Sequence, residues 1–214
     1  MATNRDVRIG THGLEGTLAI PDGAMGLVVF AHGSGSSRHS PRNTYVAEQL
    51  QANGLATLLF DLLTESEGQD RRQVFNIPLL GERVVEALDW LDSNTDLARM
   101  NLGLFGASTG AAAALVAAAQ RPERVGAVVS RGGRADLAET HLRRVRCPTL
   151  LIVGGGDEAV IDLNRAAMGQ MICEKRLEIV AGATHLFEEP GKLDAVVRLA
   201  TDWFQRTLTP APGT

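Results

Sequence analysis

Apolar positions along the chain follow two periods. Short runs rich in Val, Ile, Leu and Thr fall at residues 17–20, 26–31, 56–60, 101–105, 125–130, 148–153 and 177–180, with the length and make-up of strands. Between most of them apolar residues recur every three to four positions. Leu80, Val84, Ala87, Leu88 and Leu91 share one helical face, and Pro78 suits a first helical turn. Helices are likewise expected over 43–53, 109–120, 158–170 and 191–207, with a weaker pattern over 134–144. This alternation predicts an α/β fold, a mostly parallel sheet with helices on both faces. The start differs, because residues 7–10 and 14–21 are separated only by Thr11, His12 and Gly13. That gap is too short for a helix and predicts an antiparallel hairpin at one sheet edge. No repeat or long linker interrupts the pattern, so one domain is expected over 1–207, with 208–214 as a frayed tail.

Composition narrows the function classes. Apolar residues at 44% and charged residues at 21% suit a packed core and exclude disorder, collagen and coiled coil. With 21 Lys and Arg against 25 Asp and Glu, the net charge of -4 gives no general attraction to nucleic acid or anionic lipid. Cys147 and Cys173 are too few for a disulfide framework and lack metal-site spacing, so buried reduced thiols are expected. The start MATNRDVRIG does not resemble a secretory signal, and the longest apolar run, Ala111 to Ala119, is nine residues. A cytoplasmic protein without a membrane or nucleic-acid partner is expected; its oligomeric state is left open.

The candidate chemistry centres on Gly106-Ala107-Ser108-Thr109-Gly110, a G-x-S-x-G pattern between an apolar run and a helix-forming run. Small flanking residues let a sharp turn lift the serine hydroxyl clear of the sheet, while the helix N-terminus favours developing negative charge. The plain alternative is a tight turn whose serine only caps the helix. A nucleophilic serine needs a base, and the base an orienting acid. His185 follows the run LEIV and precedes the last helix, which brings it to the strand ends where Ser108 emerges. His12, His39 and His141 lack such a position, and His32, just before Gly33, suits a loop brace. Asp157 follows LLIVGGG at another strand end; its alternative role is a helix N-cap. Glu158, Asp61 and Asp136 compete with it as the acid. The order Ser108, Asp157, His185 is that of nucleophile-elbow hydrolases. The oxyanion hole is expected from the Thr109 amide and, in the loop His32-Gly33-Ser34-Gly35-Ser36-Ser37, from Ser34. A phosphate cradle there would want G-K-[ST], which the loop lacks.

The segments AHGSGSS, GASTG, GGGDEAV and GATHLF together resemble an α/β-hydrolase, in particular its small dienelactone-hydrolase-like branch, over roughly residues 14–207. The resemblance implies an eight-stranded, mostly parallel sheet and a Ser108, Asp157, His185 triad with Ser34 and Thr109 as oxyanion donors. Val160, three positions after Asp157, fits the family's habit. Dienelactone hydrolases proper carry cysteine where this sequence has Ser108, which favours a general serine esterase.

Only 17 residues, Gly132 to Pro148, separate the runs on either side of the family's usual lid position, so no substantial cap fits and an open, weakly selective site is expected. Arg38, Arg42, Arg131 and Arg134 follow strand ends and form a basic mouth. Pairing with acids such as Glu65, Glu67 or Asp136 is the simpler account; of the four, Arg131 and then Arg38 are the candidates to bind an anionic substrate group. The sequence thus predicts a hydrolase of small carboxylic esters or lactones working through an acyl-enzyme, with no metal or organic cofactor. Its rivals are an acyltransferase using the same residues and a non-catalytic binding module of the same fold.

Overall fold

The computed structural model describes residues 3–208; of the tail expected at 208–214, residues 209–214 lie outside them. Eight strands form one sheet: β1 (Thr3–Ile9), β2 (Leu14–Ile20), β3 (Leu27–Ala31), β4 (Ala56–Phe60), β5 (Leu102–Ala107), β6 (Val125–Arg131), β7 (Thr149–Gly154) and β8 (Lys175–Val180). Their spatial order is β1-β2-β4-β3-β5-β6-β7-β8. Only β2 runs against its neighbours, pairing antiparallel with both β1 and β4, and the expected N-terminal hairpin is the β1-β2 pair. The central strands β3, β4, β5 and β7 are buried at every position, as a parallel sheet covered on both faces requires.

The principal helices are α1 (Pro41–Ala52), α4 (Ile77–Ser93), α5 (Thr109–Gln120), α6 (Glu158–Gln170) and α7 (Lys192–Leu208). Two single-turn helices, α2 (Glu65–Gly68) and α3 (Arg71–Val74), precede α4. Helix α4 turns Leu80, Val84, Ala87, Leu88 and Leu91 inward, and the Asn76 side chain accepts the Leu79 amide at its start. On one face of the sheet α4 and α5 enclose a core that includes Leu58, Leu104 and Val128. On the other, α1 and α7 bury Val46, Leu50, Trp203 and Phe204 against Phe30, Phe105 and Val129. Helix α5 is buried from Thr109 through Ala119 and packs against α4 and the segment after β6, mostly through alanines with Leu115 and Val116 among them.

The weak helical pattern over 134–144 resolves as 3-10 turns over Ala135–Arg144, broken at Glu139, whose φ is 47°. Ala135, Ala138 and Leu142 pack this segment down against the core, and no lid rises from it. Among the described residues no helix is long and apolar enough to cross a membrane.

Candidate active site

The turn between β5 and α5 is sharp because two glycines permit it. A Cβ on Gly110 would stand 2.1 Å from the Ala31 carbonyl oxygen and 2.4 Å from that of His32; one on Gly106 would meet the Ala111 backbone at 2.4 Å. Ser108 between them has φ 51° and ψ −122°, a conformation that costs about 1 to 3 kcal/mol in a residue with a side chain. It stands at the N-cap position of α5, yet its side chain makes no capping hydrogen bond. The plain alternative of a helix-capping serine therefore fails on geometry. Its amide donates to the Arg131 carbonyl and its own carbonyl accepts from Arg134, which ties the turn to the end of β6.

Asp157 and His185 meet. The His185 Nδ1 lies 2.6 Å from the Asp157 Oδ2, and the acid's side chain is largely buried. Asp157 also occupies an N-cap position, that of α6, without a side-chain capping bond, because its carboxylate turns to the imidazole instead. The two loops reach each other by extending the β7-β8 pairing: the Gly155 amide donates to Val180 and the Gly156 amide to Ala183. A Cβ on Gly154 would collide with the Ala183 and Thr184 carbonyl oxygens at 2.5 Å, so only glycine allows this approach. The Glu189 carboxylate accepts the Thr184 amide, and buried Phe187, with φ 57°, anchors the far side of the histidine loop. His185 lies over the end of β6, where its Cε1 would be 3.6 Å from a Cβ on Gly132. No hydrogen bond joins the Ser108 hydroxyl to the imidazole; such contacts commonly tighten only when substrate binds.

The competing groups are engaged elsewhere. Asp61 holds Arg38, Asp136 holds Arg134, and Glu158 is exposed on the first turn of α6. His12 pairs with Glu86, and His141 contacts the Ala138 carbonyl. His32 braces the loops, as its position before Gly33 suggests: its Nε2 accepts the Leu62 amide at 3.1 Å and its Nδ1 donates to the Gly33 carbonyl at 3.0 Å. Burial holds its pKa below the ordinary histidine value.

The expected oxyanion donors lie together, with one addition. Gly33 abuts Ser108, since its Cβ would be 3.0 Å from the serine's, and the Ser34 amide donates to the Thr109 hydroxyl at 2.9 Å. That side-chain contact was not legible from the motif. Beside this loop lies a cavity of about 530 Å³ whose lining includes Ser34, Arg38, Leu14, Leu62 and Leu80 but not Ser108, Asp157 or His185.

The basic mouth divides. Arg38 bridges Asp61 and Glu15, Arg42 pairs with Glu188, and Arg134 with Asp136. Both terminal nitrogens of Arg38 are thus held by acids, which makes it a brace rather than the substrate ligand expected of it, although its Nε has no partner; Glu67, offered as a partner to the mouth, pairs with Arg83 instead. Among the described residues, Arg131 alone of the four has no acid. Cys147 and Cys173 are free thiols, and burial pushes Cys147 up to about 12.

Residues 24–199 match the family model of an alpha/beta hydrolase domain, and the chain belongs to that family. It is similar to the dienelactone hydrolase from Anabaena variabilis, at 56% identity and a TM-score of 0.93 over 97% of this chain and 98% of that one. A putative phosphoribosyl transferase of Mycobacterium tuberculosis H37Rv is 57% identical over 191 residues, which are 89% of this chain and 43% of the relative. The chain spans less than half the length of that relative. A lidless α/β serine hydrolase from Xanthomonas campestris shares the fold, at 20% identity and a TM-score of 0.78 over 99% of this chain and 97% of that one.

Proposed function

We propose that the protein is a serine hydrolase that cleaves small carboxylic esters or lactones through an acyl-enzyme on Ser108. The observation that carries this is the 2.6 Å contact between Asp157 and His185 beside a strained serine that caps nothing. With the Nδ1 hydrogen donated to Asp157, the other ring nitrogen, Nε2, is left free to act as base. It takes the Ser108 proton as Oγ attacks the carbonyl carbon, and the resulting imidazolium is stabilised by the carboxylate. The oxyanion is assigned to the Thr109 and Ser34 amides, the second exchanging the Thr109 hydroxyl for the stronger, charged acceptor. Collapse of the tetrahedral intermediate passes the proton from Nε2 to the leaving alcohol. Water, activated by the same nitrogen, then releases the acid.

The likeness to a dienelactone hydrolase supports an ester or lactone as substrate. The transferase name belongs to a relative more than half of which lies outside the match. A panel of short-chain esters, lactones and thioesters assayed on wild type and Ser108→Ala tests the proposal. Turnover of at least one ester or lactone, lost in Ser108→Ala, is expected; turnover that survives the substitution sinks the assignment. Adding alcohols to the same assay separates hydrolysis from acyl transfer.

A further inference from the structure

Arg131 carries a charge that no acid among the described residues answers. It ends β6 in register with Ala107, one strand across from the nucleophile, and its carbonyl accepts the Ser108 amide. Ala127 and Val129, on the same face of β6, pack among residues of α1 and α7. The Arg131 side chain accordingly reaches the first turn of α1, where Nη2 donates to the Asn43 Oδ1 at 3.4 Å. Its Nε and Nη1 have no partner, and the residue is 7% exposed.

Burial, with the nearby charge of Arg42, pushes Arg131 down to about 10, so it is still a cation at neutral pH. The first turn of α1 adds the partial positive charge of a helix N-terminus. A buried cation without a counter-charge is costly to keep, and the three other arginines of the mouth each have an acid. We propose that Arg131, Asn43 and the first turn of α1 form an anion subsite beside Ser108, which takes a carboxylate or phosphate group carried by the ester substrate. This deepens the serine-hydrolase reading and rests on it. A carboxylate or phosphate supplies acceptor oxygens in the arrangement that a planar guanidinium recognises, which a lysine would not match. Because Nε and Nη1 are enclosed, neighbouring side chains must part to admit the group. Arg42, partly exposed and paired with exposed Glu188, is the side chain whose charge Arg131 already feels.

The test compares wild type, Arg131→Gln and Asn43→Asp. Asn43→Asp is nearly isosteric and places a carboxylate against the guanidinium, so it should raise the melting temperature while filling the subsite with an internal anion. Two ratios of kcat/KM are read after correction for spontaneous hydrolysis: 4-nitrophenyl hemisuccinate over 4-nitrophenyl butyrate, and 4-carboxyphenyl butyrate over phenyl butyrate. At least one ratio should fall about 10- to 100-fold in both variants, the range of a charge-assisted hydrogen bond. In parallel, inorganic phosphate or succinate should raise the melting temperature of wild type but not of Asn43→Asp, and a neutral fluorophosphonate should label Ser108 in all three proteins. Labelled Ser108 with both ratios unchanged in the variants overturns the subsite. If Ser108 is neither labelled nor acylated, while an anion still stabilises wild type and not Asn43→Asp, the subsite stands and the hydrolase reading falls. Absence of both effects overturns both.

Discussion

Asp157→Asn keeps the shape of the proposed orienting acid and removes its charge. The carboxylate lies 2.6 Å from the His185 Nδ1, and its side chain is 17% exposed. When the imidazole takes the serine proton, a full positive charge forms against that carboxylate. At about 4 Å between charge centres and an effective dielectric of about 20, their attraction is about 4 kcal/mol. At about 1.36 kcal/mol per tenfold in rate, that alone is on the order of 10³. The amide adds a second penalty, because it can donate to Nδ1 and so move the ring proton to Nε2, where a free lone pair is needed. Together they predict a loss in kcat on the order of 10⁴, the scale of the same change in serine-protease triads. The assay is steady-state hydrolysis of a short 4-nitrophenyl ester by wild type, Asp157→Asn and Glu158→Gln, with circular dichroism to verify folding. Glu158 is exposed and makes no bond to His185, so Glu158→Gln should change kcat by less than about threefold. If Asp157→Asn keeps more than a tenth of wild-type kcat, the reasoning fails. A larger loss from Glu158→Gln would name the other carboxylate.

Other expectations rest on particular contacts. Because a Gly110 Cβ would meet two backbone oxygens that cannot rotate away, Gly110→Ala should cost about 3 kcal/mol or more in urea unfolding; a loss under about 1 kcal/mol contradicts the packing described. Thr109→Val removes the acceptor that holds the Ser34 amide in the resting site, sparing about 1 kcal/mol and raising kcat up to about fivefold. A tenfold fall would instead assign the hydroxyl to positioning that amide. Burial holds His32 below 6.5, so protons bind the unfolded chain in preference, and the stability due to neutral His32 is lost as pH falls below 6.5. Urea midpoints at several pH values should therefore vary less in His32→Gln than in wild type, and an unchanged dependence refutes the role given to this histidine.

The central strands were legible because a parallel sheet buried on both faces writes continuous apolar runs, and those at 26–31, 56–60, 101–105, 125–130 and 148–153 lie within a residue or two of β3 to β7. The edges were only half legible. β1 and β8 bring polar residues such as Asn4, Arg5, Lys175 and Arg176 into the ladder, since each has a neighbour on one side only. The short helices α2 and α3 escaped altogether, as neither buries a residue; local caps by Thr64 and Asp70 hold them, which leaves no periodicity to read. That Ser108, Asp157 and His185 come to one edge of the sheet could be anticipated because each comes shortly after a strand, and the loops that leave parallel strands gather there. The division of the arginines was legible only in part: pairing with acids and the place of Arg131 were, the partners of Arg38 and Arg42 were not. Whether Arg38 is paired depends on Asp61, just past the end of β4, and the isolation of Arg131 depends on α1 presenting an amide, Asn43, where a carboxylate would have neutralised it.

The central claim is a covalent one, that an acyl group rests on Ser108 between two half-reactions. Rapid acid quench of wild type with a short 4-nitrophenyl ester, followed by peptide mass spectrometry, tests it most directly. The proposed mechanism predicts the mass of the acyl group on the peptide containing Ser108, formed within the first turnover and absent from Ser108→Ala. Sustained ester hydrolysis by wild type that Ser108→Ala retains in full, with the acyl mass on another residue or on none, would contradict it.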